Sequence, residues 1–326
     1  MILAGDIGGT KTALALFEPV ASGVRQVREA VFHSADYRSL DDILREFLRS
    51  ERGALSAACF GVAGPIIAGR AQITNLPWIL DEKLLATETK APHAKLLNDL
   101  EATAYGVLFL TDDGRSALNP AARAGRSGNI AVIAAGTGLG EALLFRDDGQ
   151  YHPIASEGGH ADFAPRTDEE IELLRYLRAR FDGHVSCERV LSGPGIYNIY
   201  GFLRDMHYAA EPAWLAEKLA VSDPTPTIAE SGLAGTTPLC VKTLDMFSAI
   251  YGAEAGNLAL KCLALGGVFL AGGMAPKILP VLQNGSFMRA FTDKGRFAAL
   301  MESLAVDVAL NPRTALVGAA HYALRL

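Results

Sequence analysis

Three glycine-rich turns in this chain carry the hydroxyls, cation and carboxylate that suit the handling of phosphate groups. The first is Asp6-Ile7-Gly8-Gly9-Thr10-Lys11-Thr12. Gly8 and Gly9 permit positive φ and let a backbone approach a phosphate with no Cβ in the way. Thr10 offers a hydroxyl donor and Lys11 a positive charge. Asp6, at the end of a strand, is placed to hold Mg²⁺ directly or through water. Taken alone, the same stretch describes a β-hairpin turn whose Asp bonds its own backbone. The second turn, Gly136-Thr137-Gly138-Leu139-Gly140, follows the apolar run 130–135. A dinucleotide fingerprint needs GxGxxG leading into a helix. Here Glu141 comes next and Arg146-Asp147-Asp148-Gly149 signals a turn soon after, which leaves no length for a helix. A second phosphate-gripping hairpin fits better than a dehydrogenase loop. The third turn, Leu270-Ala271-Gly272-Gly273-Met274, ends an apolar run with two glycines against which a flat base can lie. It also reads as an ordinary strand-to-helix turn. No GxxxxGK[ST] occurs, which excludes a P-loop.

Three further segments carry groups for proton transfer and hydroxyl binding. In Leu96-Leu97-Asn98-Asp99-Leu100, Asp99 falls at a strand–helix junction. Asp is a common N-cap there, and a carboxylate kept ionised by the helix dipole can also accept the proton of an attacking hydroxyl. In Ser156-Glu157-Gly158-Gly159-His160 the glycines argue against a helix, so Glu157 and His160 can point to one spot from a loop. An ordinary polar loop is the competing reading, and without HExxH or a nearby cysteine cluster a metal site is discounted. Cys187-Glu188-Arg189-Val190-Leu191-Ser192-Gly193 offers Glu188, a residue type most often solvated on a helix.

These residues need a scaffold of alternating strands and helices. Residues 1–4 and 12–17 read as strands around the first turn, 25–32 as a third strand, and 55–62 and 95–97 as buried strands. Apolar spacing at Leu40, Ile43, Leu44, Phe47 and Leu48 predicts a helix over 40–50, and another is expected over 100–110. Residues 112–128 read as a long loop and a domain boundary. The plan then repeats, with strands at 129–135 and 141–145 around the second turn, which suggests two related α/β lobes. Helices are expected over 168–180, 191–206 and 244–265, a loop or only local helix over 224–238, and a strand at 268–271. A final helix over 314–324 is expected to fold back on the first lobe.

Composition narrows the classes. The chain has 326 residues, half of them hydrophobic, with 20% charged and a formal net charge of -6. Its length favours two lobes, and its charge disfavours a broad nucleic-acid surface. No leader is expected from the first residues, and the run 262–271, broken by Gly266-Gly267, falls short of the ~20 residues that span a bilayer. Cys59, Cys187, Cys240 and Cys262 form no CxxC pair, so a reduced, cytoplasmic protein is expected.

Two glycine hairpins followed by a late strand-Gly-Gly turn resemble the actin-like, sugar-kinase and Hsp70 ATPase superfamily. With them, Gly61 to Pro65, Thr74-Asn75 with Trp78, Leu97-Asn98-Asp99, Glu157 to His160, His184 to Gly195, Gly256-Asn257-Leu258-Ala259-Leu260, Gly267 to Gly273 and Asp293-Lys294-Gly295-Arg296-Phe297 resemble the bacterial glucokinase family nearly end to end. The resemblance implies a two-lobed actin-like ATPase (ribonuclease-H-like) α/β fold with a ligand cleft between the lobes. The small domain would comprise 1–110 plus 311–326 and the large one 111–310. It implies phosphorylation of glucose at the 6-hydroxyl by Mg-ATP, with Asp99 as base. Asn98, Asp99, Glu157, His160 and Glu188 would bind glucose. Asp6, Gly8, Gly9, Thr10, Lys11, Gly136, Thr137 and Gly138 would serve the phosphates, with Asp6 on Mg²⁺, and Gly272 and Gly273 the adenosine. A homodimer is the family expectation. The chain departs from zinc-containing ROK kinases in having no cysteine over 161–180. Glu141 stands where a small or apolar residue is expected; turned toward phosphates it would repel them, so it is expected to face the other side of its strand. A kinase for fructose, mannose or an N-acetylated amino sugar shares all this machinery. A sugar-sensing regulator is disfavoured, because a first strand at Ile2 leaves no room for a helix-turn-helix.

Overall fold

The computed structural model describes residues 1–21, 23–73, 76–122 and 127–326; Thr74 and Asn75, singled out above, lie outside them. The chain divides into two compact units, Met1–Gly114 with Ala142–Ala155 and Asn311–Leu326, and Arg115–Glu141 with Ser156–Leu310.

In the first unit β1 (Ile2–Ile7), β2 (Lys11–Val20), β3 (Gly23–His33), β4 (Ala57–Val62) and β8 (Ala94–Asn98) form one sheet in the order β3-β2-β1-β4-β8. The three short strands β5 (Ile66–Ile67), β6 (Arg70–Gln72) and β7 (Ile79–Asp81) form a small antiparallel sheet. β1, β4 and β8 run parallel, and such strands, covered on both faces, read as unbroken apolar runs. Alternation sorts their side chains. Leu3, Ile7, Ala58, Phe60 and Val62 enter the core shared with Leu40, Ile43, Leu44 and Phe47 of α1 (Leu40–Leu48). Ile2, Ala4, Ala57 and Cys59 enter the opposite core with Leu316, Ala319 and Ala320 of the last helix (Thr314–Ala323). That helix thus packs on the first unit, as expected. The unit also holds α2 (Glu82–Thr89) and α3 (Asp99–Val107). Small residues let α3 and the last helix approach closely: a Cβ on Gly106 would lie 1.9 Å from the Thr314 carbonyl oxygen, and one on Gly318 the same distance from that of Ala102.

The second sheet repeats the plan. β9 (Arg115–Ala117), β10 (Ile130–Ala135), β11 (Leu139–Asp147), β12 (Gln150–Ser156), β13 (Gly267–Ala271) and β14 (Val306–Ala309) are ordered β12-β11-β10-β13-β14-β9. β10, β13 and β14 are parallel and β9 is antiparallel to β14. The helices here include α4 (Asp168–Arg180), α5 (Gly193–Asp205), α6 (Ala213–Val221), α7 (Pro224–Leu233) and α8 (Pro238–Cys262).

Three expectations change. The long loop expected over 112–128 contains β9, whose register against β14 runs from Asp307–Ala117 to Ala309–Arg115; so short an edge strand has no periodic signal. The stretch from Pro224 is a ten-residue helix, and α8 begins at Pro238 rather than Leu244. Both prolines occupy the first turn, where no N–H is required and the fixed φ suits a helix. Asp223 accepts from the Thr225 N–H at 3.1 Å and Thr237 from that of Cys240 at 3.3 Å, capping the two helices. Among the described residues no helix is long and apolar enough to cross a membrane.

Candidate active site

Register places the first unit's chemistry at one sheet end. Ile7 pairs with Val62 and Val62 with Asn98, so Asp6 and the Asn98-Asp99 pair stand at the carboxyl ends of parallel strands, where open α/β sheets bind ligands. The turn after β1 is closed by the Gly8 N–H donating to the Lys11 carbonyl at 2.9 Å. Neither Gly8 nor Gly9 adopts positive φ; Gly8 is wanted for space, since a Cβ there would sit 3.2 Å from the Lys11 oxygen. Thr10 and Lys11 are exposed. Burial raises the Asp6 carboxyl pKa and the Arg313 guanidinium opposes it.

Ser34 is a residue the sequence reading missed. Its hydroxyl donates to the Gly8 carbonyl at 2.8 Å, its N–H donates to that of Thr10 at 3.0 Å, and the buried Thr12 hydroxyl lies 3.0 Å from its own. It braces the hairpin from the end of β3. Only the β2–β3 register, with Thr12 opposite Phe32, brings Ser34 there, so no local signal marks it.

At the end of β8 the capping weighed for Asp99 falls to Asn98. The Asn98 Oδ1 accepts from the Leu100 N–H at 2.9 Å, and Glu101 reaches back to the Asn98 N–H at 2.9 Å, completing a capping box. The Asn98 amide donates to the Gly64 carbonyl at 3.2 Å, so the Gly61–Pro65 segment holds it. Asp99 is the first residue of α3, and its Oδ1 also accepts from the Leu100 N–H at 2.9 Å.

The second unit gathers the other expected residues in the same manner. Ala134 of β10 is in register with Ala271 of β13, so the Gly136–Gly138 and Gly272-Gly273 turns leave the same sheet end. Gly272 has φ +78, and a Cβ there would lie 2.6 Å from the Ala135 carbonyl; positive φ, sought at the first hairpin, is used here. Thr137, Gly272 and Gly273 are exposed. The Gly136 carbonyl accepts from the Gly193 N–H at 2.8 Å, at the start of α5. Glu188 reaches the hairpin directly: its Oε2 accepts from the Leu139 N–H at 3.0 Å, and a Cβ on Gly138 would fall 2.5 Å from that oxygen. The Glu157 and His160 side chains approach to 4.0 Å, both largely exposed. Their short turn is pressed onto β11, where a Cβ on Gly159 would lie 2.0 Å from the Leu139 carbonyl oxygen and one on Gly158 2.2 Å from Glu141 Oε2. The Cys187 N–H donates to the Ala161 carbonyl at 2.8 Å, which sets the Glu188 turn beside that of His160. Glu141 is 1% exposed. Burial, reinforced by the charge of Glu254 and opposed by Lys261, pushes its carboxyl up to about 7. It lies behind the Glu157–His160 turn.

Comparison with known proteins places this geometry in a family. The sequence profile of the family described as Glucokinase matches residues 3–326. A glucokinase from Nostoc punctiforme is 43% identical, with 100% of this chain and 99% of that protein covered. The crystal structure of a glucokinase from an Antarctic psychrotroph superposes with a TM-score of 0.88 at 31% identity, covering 100% and 99% of the two chains. A ROK-family glucokinase from Streptomyces griseus, solved with glucose and AMPPNP, shares the fold at a TM-score of 0.64 and 19% identity, over 100% and 99% of the chains. The repeated sheet order is accordingly that of the actin-like ATPase fold, and the chain belongs to the glucokinase family.

Proposed function

We propose that the chain transfers the γ-phosphoryl group of ATP to the 6-hydroxyl of glucose, with Asp99 as the general base. The observation that carries this reading is the strand register that sets Asp6 and Asp99 at the carboxyl ends of β1 and β8, a metal ligand and a base on one sheet. Asp99 takes the O6 proton as the O6–P bond forms and the bond from phosphorus to the bridging oxygen breaks, leaving ADP. Phosphoryl transfer asks little more of a base, since positioning and charge neutralisation carry most of the barrier reduction. The backbones of the Asp6–Thr12 and Gly136–Gly140 hairpins line the phosphates, and Gly272-Gly273 gives the base a surface free of side chains. Asn98, Glu157, His160 and Glu188 hold sugar hydroxyls; Oε2 of Glu188 is bound to the Leu139 N–H, which leaves its other oxygen to accept from one of them. Asp6 offers one carboxylate, which fits Mg²⁺, a cation that keeps several waters and takes one or two carboxylates beside substrate phosphates. Bound there, Mg²⁺ would neutralise charge on the transferring group. The family resemblance supports a homodimer, and cysteines that form no CxxC pair support a reduced, cytoplasmic protein.

A coupled assay with Mg-ATP against glucose, mannose, fructose and N-acetylmannosamine tests the substrate: turnover on glucose is expected, and turnover confined to another sugar would overturn it. Asp99→Asn keeps an acceptor for the Leu100 N–H while removing the base. A fall in kcat of about 10²–10⁴-fold with glucose binding retained is expected, and near-normal turnover would refute the assignment.

A further inference from the structure

Glu101, which completes the capping box of α3, also reaches a second stretch of backbone. Its Oε2 accepts from the Asn98 N–H at 2.9 Å, and the Ala155 N–H of β12 donates to the same carboxyl. Asn98 precedes Asp99, and Ala155 stands two residues before Glu157. Asn98, Glu101 and Ala155 all belong to the first unit.

Hairpin geometry explains why the Ala155 N–H is open to a side chain. β11 ends at Asp147 and β12 begins at Gln150. Between them Asp148 and Gly149 have φ +43 and +80, and positive φ at both central residues marks a type I′ turn. The flanking pair, Asp147 and Gln150, bonds across the hairpin, so alternation turns the N–H and C=O of residues 151, 153 and 155 away from β11. β12 stands at the end of its sheet, which makes that side an open edge. Pro153 lies on it, where a strand tolerates a residue with no N–H. The Tyr151 carbonyl on the same edge accepts from Arg325 Nη1 at 3.1 Å, and Arg325 Nη1 also lies 3.4 Å from the Tyr105 hydroxyl. Glu101 and Tyr105 are one helical turn apart on α3. One face of α3 thus serves both ends of this edge, through Arg325 at Tyr151 and directly at Ala155.

We propose that Glu101 is a positioning residue for the sugar site: its carboxylate ties the backbone entering the Glu157–His160 turn to the backbone entering the Asn98-Asp99 corner. A cap alone needs only the Asn98 bond. A carboxylate offers two oxygens with several lone pairs and so serves two N–H groups at once, in bonds strengthened by its charge. Burial raises the Glu101 carboxyl pKa, and the Asn98 N–H, Lys95 and the Ala155 N–H oppose it. Glu101 touches no substrate in this account, and the proposal rests on Asp99 and Glu157 being base and sugar ligand.

The test compares the full-length wild type with Glu101→Ala, Glu101→Gln and Arg325→Ala. Hydrogen exchange resolved at single amides is expected to be about tenfold faster at Ala155 in Glu101→Ala. In the same variant kcat/KM for glucose is expected to fall about 10–10²-fold, with both kcat and glucose KM affected and KM for ATP within about twofold of wild type. Glu101→Gln keeps one acceptor oxygen for two donors and is expected to fall between Glu101→Ala and wild type. Arg325→Ala frees β12 farther from the turn and is expected to keep kcat/KM for glucose within about twofold of wild type. Faster exchange at Ala155 with unchanged kcat/KM for glucose would reduce Glu101 to a structural tie and overturn the proposal. Unchanged exchange at Ala155, or an equal loss of activity in Arg325→Ala, would overturn it too. If Glu101→Ala fails to fold, Glu101→Gln carries the same comparison. A wild type that neither binds nor phosphorylates glucose would sink the sugar reading instead, leaving exchange at Ala155 to judge the tie.

Discussion

Gly159→Ala is the sharpest test of how the sugar turn is held. An added Cβ would lie 2.0 Å from the Leu139 carbonyl oxygen, 2.9 Å from its carbonyl carbon and 3.2 Å from its Cβ. Leu139 cannot yield cheaply: it is buried, and its N–H is bound to Glu188 at 3.0 Å. The turn must therefore retreat, by about 1.4 Å if the contact is to reach an ordinary ~3.4 Å. That displacement carries Glu157 and His160 with it. A misplacement of ~1 Å in a positioning group costs about 10²-fold, so kcat/KM for glucose is expected to fall about 10²-fold, close to 3 kcal/mol of transition-state stabilisation. The loss should fall on glucose KM more than on KM for ATP. Overpacking should also cost about 1–3 kcal/mol of stability, to be measured by denaturant unfolding. Gly136→Ala is the stability control, because a Cβ there meets nothing within 4 Å. Wild-type kcat/KM for glucose in a folded Gly159→Ala protein would refute the reasoning.

Two further outcomes concern stability. Gly106→Ala drives a Cβ to 1.9 Å from the Thr314 carbonyl between α3 and the last helix; a loss of about 2–3 kcal/mol in urea unfolding is expected, and a loss under ~0.5 kcal/mol would show that the two helices separate easily. Glu141 has its carboxyl raised from 4.5 to about 7 in the folded state, so over that window the native protein binds more protons than the unfolded chain and stability falls as pH rises. At about 1.4 kcal/mol per pH unit the loss approaches ~3 kcal/mol; Glu141→Gln should remove it, and an unchanged slope between pH 5 and pH 8 would place the titration elsewhere.

Much of the scaffold was legible because its signals are local. The spacing of Leu40, Ile43, Leu44 and Phe47 marks the buried face of α1, and the glycine turns mark where β1 and β10 double back. The helical pattern over 168–180 coincides with α4. Proline misled where it opens α7 and α8, since a residue that breaks a helix interior is well suited to its first turn. β9 escaped because its three residues have meaning only beside β14.

At the site the division is equally physical. Residue type and spacing alone determined that two glycine hairpins, a carboxylate before a helix and a Glu-Gly-Gly-His turn are present, because each is a contiguous string whose backbone preferences are its own. Only the tertiary structure decided what each side chain meets. Asn98 takes the cap beside Asp99, Ser34 braces a hairpin more than 20 residues away, and Glu188 binds the Leu139 amide across 49 residues of chain. Glu141 turns into the interior behind Gly158. Strand register and helix packing set these pairings, and a one-residue slip in either would exchange every partner.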